Sequence, residues 1–191
     1  PLNVHFKETS SMGAINDVAT GEAQFGIVRY PSAYEPYFLN HLKSLSMTWE
    51  LLWEFRMCLV MSEDHPLADA REIPYHLLDG YTEIAHGDDQ IPSLNPAQFG
   101  QHEKMKGSKR KICIYERGSQ YNLLTRLKGS YMWVSPIPFS ILKENRLVMK
   151  ECSSLMTPTR DIIVRRKNHL STEEERAFLD MVRKIMEESV V

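Results

Sequence analysis

The chain has 191 residues, 42% of them hydrophobic and 25% charged, with a formal net charge of −2. This is the composition of an ordinary soluble globular protein, long enough for one ample core or two small lobes. The charge gives no electrostatic case for nucleic-acid binding by this segment. No apolar run reaches the roughly 20 residues of a membrane helix.

In chain order, Leu2, Val4 and Phe6 alternate with polar neighbours and predict a strand. Thr9-Ser10-Ser11 supplies N-cap oxygens for a helix from Met12 to Ala19, which Gly21 ends through the left-handed conformation. Phe25 to Val28 predicts a buried parallel strand, completing a right-handed βαβ unit. Leu51 to Met61 is a longer extended run that suits a strand passing between lobes, and Pro66 ends the segment. A short helix over Ile73–Leu78 closes at Asp79-Gly80, and Tyr81–Ala85 is the next strand. Residues 96–106 suggest another helix. Lys111–Tyr115 and Tyr131–Val134 are strands flanking a helix over Gln120–Leu127. Helix 138–144, strands Leu147–Met149 and Arg160–Arg166, and a terminal helix over Thr172–Glu188 follow. Ser171 and Glu174 read as the capping box of that last helix. Alternating strands and helices indicate an α/β fold with mainly parallel sheets.

Cys58, Cys113 and Cys152 are odd in number and far apart, with no CxxC, so neither a zinc ribbon nor a redox pair is expected. Cys58 and Cys113 lie in apolar runs and read as buried small side chains, which favours a reducing, cytoplasmic setting. No signal peptide is visible, and the chain opens at Pro1 without an initiator Met, as a cut fragment would. None of the seven histidines shows the i,i+4 spacing of a helical zinc site, and no metal or cofactor is expected. The basic run from Lys104 to Lys111 reads as a solvated loop. His65, beside Pro66, reads as structural and not as a catalytic base.

Three marks recur in a fixed order. Gly21-Glu22-Ala23-Gln24-Phe25-Gly26-Ile27 comes first. His65-Pro66-Leu67-Ala68 follows, with the short helix of residues 73–80 after it. The strand, helix and strand of residues 116–136 come last. Together they resemble the effector-binding domain of LysR-type transcriptional regulators over nearly the whole chain, with Gln24 where that family usually has Asp. The resemblance implies an α/β fold of two Rossmann-like lobes, like type 2 periplasmic binding proteins. Two crossing strands, Leu51–Met61 and Tyr131–Ser135, would join them. It places residues 1–56 and 136–191 in lobe I and 57–135 in lobe II. It also implies an N-terminal truncation: the helix-turn-helix and the family's first effector-domain strand and helix are missing, and Pro1–Glu8 matches the second strand. DNA would be contacted only through that missing part, and the full-length protein would be a homodimer or homotetramer.

Ligands of open α/β sheets bind beyond the carboxyl ends of strands, where helix N-termini offer free N–H groups. This rule selects Ser10 and Ser11, Arg29 and Tyr30, His86 and Gly87, Gly118 and Ser119, and Ser135. By the resemblance, Ser11 matches a ligand-contacting hydroxyl. Each has a plainer reading: an N-cap for Ser10, Ser11 and Ser119, a salt bridge for Arg29, a turn for Gly87. Asp88 would oppose an anion unless paired with Arg29 or Arg117. Arg29, Ser11 and Ser119 together point to a small, polar, anionic metabolite. No nucleophile stands at catalytic spacing from a base, so an enzyme is not expected. The expected function is effector sensing within a DNA-bound oligomer. A free-standing solute-binding protein, or an enzyme using the same cleft, are the alternatives.

Overall fold

The computed structural model describes residues 4–87, 110–152 and 157–189. It contains two sheets. Strands β1 (Phe25–Pro31), β2 (Met47–Phe55) and β8 (Thr159–Arg166) form the first, in the order β1-β8-β2. Strands β3 (Cys58–Ser62), β4 (Thr82–His86), β5 (Arg110–Ile114), β6 (Ser130–Val134) and β7 (Leu147–Lys150) form the second, in the order β5-β4-β6-β3-β7.

Helices α1 (Ser11–Thr20) and α2 (Glu35–Ser44) cover one face of the first sheet. Ile15 and Val18 of α1 and Phe38 and Leu42 of α2 meet Val28, Tyr30, Ile162 and Val164 of the strands. The i,i+3 and i,i+4 spacings give each helix one apolar stripe, and fully burying such side chains stabilises by about 1.5–3 kcal/mol each. The start of α1 is fixed by Ser10, whose Oγ accepts the Gly13 N–H at 3.1 Å. Its end is fixed by Gly21 at φ 86°, with Arg166 packed where a Cβ would point. Ser10→Ala is expected to cost about 1 kcal/mol in urea unfolding.

The second sheet is apolar on both faces, so β3 is buried along its full length. Val60, Ile84 and Met132 face helices α3 (Gln120–Arg126) and α4 (Phe139–Glu144) through Leu124 and Leu142. Leu59, Met61 and Tyr131 face the segment carrying Ile73 and Leu78. Helix α5 (Glu173–Ser189) returns to the first sheet, where Phe178 lies 6.0 Å from Phe25.

The structure departs from the sequence reading in several places. Val4 and Phe6 are in no strand and are 66% and 75% exposed, so no βαβ unit opens the described chain. An alternating pattern makes a strand only where a neighbour supplies a ladder. β1 and β2 both run antiparallel to β8, and β6 and β7 both run antiparallel to β3. Only the β4–β5 and β4–β6 ladders are parallel. The reason is topological: β3 and β8 are each the first strand after the chain changes sheets, and each lies between two strands that run opposite to it. The two residues Arg56 and Met57 make the first change of sheet. The return lies between β7 and β8, not at Tyr131–Ser135, so 136–150 go with the second sheet, not with lobe I. Helix α2 has no counterpart in the sequence reading, although Pro36 near its start and the Phe38–Leu42 spacing mark it. Cys58 is buried as expected, but Cys113 is exposed because β5 is an edge strand. Thr172, not Ser171, caps α5, accepting the Glu175 N–H at 3.2 Å. The helix expected over 96–106, Asp88 and most of the basic run lie outside the described residues.

Candidate functional site

Register places one end of each sheet at the point where the chain changes sheets. In the first sheet, Pro31 and Phe55 both pair with Thr159. Three residues after Phe55, Cys58 begins β3 and pairs with Val134, the last residue of β6. His86, the last residue of β4, pairs with Ile114, the last of β5. Thr82 pairs with Ser130 and Glu83 with Tyr131, an offset that carries His86 to the level of Val134. The carboxyl ends of β1, β4, β5 and β6 therefore all lie at the connector end of their sheets. These are the positions where α/β folds bind small molecules.

On the first sheet, Ser11 and Arg29 are joined. The Ser11 hydroxyl donates to the Arg29 carbonyl at 2.7 Å and accepts the Arg29 N–H at 3.2 Å. It thus stands in for a neighbouring strand at the sheet edge. The Arg29 guanidinium donates to Asp161 through Nε at 2.8 Å and Nη2 at 2.7 Å, and its Cζ lies 4.8 Å from the centre of the Phe55 ring. The Asp161 side chain is 2% exposed and that of Arg29 44%. The salt-bridge reading of Arg29 is therefore realised. The Nη1 edge is not used by Asp161, so the fork is anchored on one side and open on the other. Ser10 is the α1 N-cap. Tyr30 belongs to the core: it is 1% exposed and stacks on Phe38 at 4.7 Å. Burial pushes its phenol up to about 12. Strand alternation sends Tyr30 and Arg29 to opposite faces, which the sequence reading did not separate.

On the second sheet, His86 ends β4 half-buried. Gly87 lies under the Tyr115 ring: a Cβ there would meet Cζ at 2.5 Å. Its lack of a side chain is already used by Tyr115. Gly118 and Ser119 do gather donors around one anion, but that anion is Glu116. The Gly118 N–H donates to its Oε1, while the Ser119 N–H and Oγ reach its Oε2 at 3.1 and 2.5 Å. The bond from the Ser119 hydroxyl, then those from the two backbone N–H groups, holds the Glu116 carboxyl below its usual range. Sequence reasoning missed Glu116, though an acidic residue three before Ser119 was a visible capping signal. Ser135 follows β6 and is half-buried.

His65 is 5% exposed, and its Nδ1 accepts the Leu67 N–H at 3.0 Å. Its ring tilts against Tyr81 at 4.5 Å, and burial lowers its pKa. It holds the turn of the His65–Ala68 motif. Among the described residues, no group of three His, Cys, Asp or Glu side chains is placed to hold a metal, and no helix is long and apolar enough to cross a membrane. An open groove of about 600 Å³ lies at the far end of the first sheet, lined by Ala19, Leu45, Ser46 and residues 166–170.

These features define an α/β protein with the fold of LysR-family regulatory domains, which is type 2 periplasmic-binding-protein-like. No family sequence model matches the chain, and no curated protein matches it in sequence. The regulatory domain of MetR, a LysR-family regulator from N. meningitidis, superposes with a TM-score of 0.60 at 13% identity, over 92% of this chain and 76% of that one. The effector-binding domain of QuiR in complex with shikimate gives 0.61 at 17% identity, over 97% and 82%. The CcmR regulatory domain from Synechocystis PCC6803 in complex with 2-PG gives 0.60 at 13% identity, over 95% and 81%.

Proposed function

We propose that this chain is the effector-sensing and oligomerisation domain of a LysR-type transcriptional regulator. A small metabolite would bind between the two sheets and shift their relative pose. The oligomer would then pass that shift to DNA. The observation that carries this reading is the convergence of four strand ends on the Arg56–Met57 connector. QuiR and CcmR, whose domains were solved with shikimate and 2-PG, support it by likeness of fold. DNA contact is not assigned to this segment, whose net charge is −2.

The ligand in this reading is anionic. Arg29, held by Asp161, presents its open edge to a carboxylate or phosphate. Ser10, Ser11, His86, Gly87, Gly118, Ser119 and Ser135 line the surrounding strand ends. An anion reaching Gly118 and Ser119 must first displace Glu116. A thermal-shift screen of small carboxylates and phosphate esters tests the reading. Stabilisation by at least one such anion, with 1:1 stoichiometry in calorimetry, is expected. Stabilisation by cations or apolar compounds alone sinks it.

A further inference from the structure

Three aromatic side chains among the described residues are exposed beyond a third of their surface: Phe6, Tyr115 and Phe139, at 75%, 73% and 75%. Phe6 precedes Lys7, whose ammonium pairs with Asp17 two turns into α1, and so runs with that helix away from the strand ends. The other two stand at the connector end of the second sheet. Tyr115 directly follows β5. Phe139 opens α4, five residues after β6. In the order β5-β4-β6, the two strands they follow flank β4.

The Tyr115 ring is placed, not loose on the surface. A Cβ on Gly87 would lie 2.5, 2.7 and 2.9 Å from its Cζ, Cε1 and Cε2. The distal half of the ring therefore rests on the Gly87 backbone while most of it stays in water. A ring seated against backbone yet open to solvent offers an apolar face that a ligand can cover. Binding sites for small molecules place such rings beside a few polar groups. Here the polar group is the Arg29 guanidinium of the first sheet, in the reading above.

We propose that Tyr115 and Phe139 are specificity-determining residues that stack on a flat ring of the effector, which makes it a ring-bearing carboxylic acid and not an acyclic one. This rests on the effector reading and names its ligand class.

Calorimetry of the intact chain with benzoate and with succinate tests it, together with Tyr115→Ala, Phe139→Ala and Tyr115→Phe. Benzoate is expected to bind more tightly than succinate. Each alanine variant should weaken benzoate roughly three- to tenfold while leaving succinate and the thermal midpoint unchanged, because both rings are exposed. Tyr115→Phe should retain benzoate binding, since the ring is kept. If succinate binds as well as benzoate, or the alanine variants leave benzoate unchanged, the ring contact is wrong and the effector reading stands. If neither acid binds, the ring contact is wrong, and the effector reading is judged by the wider screen of carboxylates and phosphate esters.

Discussion

Glu175→Ala is expected to lower the free energy of unfolding by about 3–4 kcal/mol, among the largest effects of any single change in this chain. The Glu175 side chain is 2% exposed and accepts three bonds: from Arg165 Nε at 2.7 Å, from the Ser171 hydroxyl at 3.1 Å, and from His169 Nε2 at 2.5 Å when that nitrogen carries the proton. Arg165 lies on β8 and also reaches Glu50 of β2 at 3.3 Å. The carboxylate thus ties α5 to two strands of the first sheet, next to the buried Leu179. Truncation leaves two cationic or polar partners, 15% and 9% exposed, without their acceptor. Urea unfolding measures the loss, and a change below about 1 kcal/mol would show the network to be dispensable.

The same carboxylate sets a pH dependence. Burial alone would push its pKa up, but the hydrogen bonds from His169 and Arg165 outweigh burial and hold it below the usual range. A carboxyl depressed in the folded state stabilises fully above its unfolded pKa of about 4.3 and loses that contribution as pH falls through the folded value. The gap in stability between wild type and Glu175→Gln should therefore hold at neutral pH and close below about pH 4. A gap that widens on acidification would contradict the sign.

The second large effect is an asymmetry. Arg29→Ala strands the Asp161 carboxylate, which is 2% exposed, and is expected to cost about 3 kcal/mol. Asp161→Ala strands a guanidinium that is 44% exposed and that water can solvate, so about 1–2 kcal/mol is expected. The double variant should lose less than the sum of the singles. Equal single costs with additive behaviour would mean the pair contributes little. A fall in ligand affinity on Arg29→Ala must be separated from this stability loss. Arg29→Lys helps, because it keeps the charge and loses the two-pronged fork.

The parts of the fold that could be read from the chain were those set by neighbours in sequence. Gly21 stops α1, Ser10 caps it, and Cys58 at the head of β3 is buried, all as expected. Helix α2 was equally local in its signals and simply went unread. Strand direction was not legible, because a buried Val or Ile run looks the same in either ladder. The strand-end rule selected Ser11, Arg29, Gly87 and Ser119 from the sequence alone. It could not show that Tyr30 points inward, which depends on the phase of β1, nor that the Arg29 partner lies 132 residues away. Glu116, only three residues from Ser119, was the readable element that was passed over.

By itself the sequence determined the α/β class, the order of most elements and the residues at the strand ends, because caps, turns and apolar periodicity act over a few positions. Only the tertiary structure decided which strands run antiparallel, where the chain returns to the first sheet, and which donors are already taken. Those outcomes depend on groups far apart in the chain meeting in space, and local patterns carry no record of that encounter.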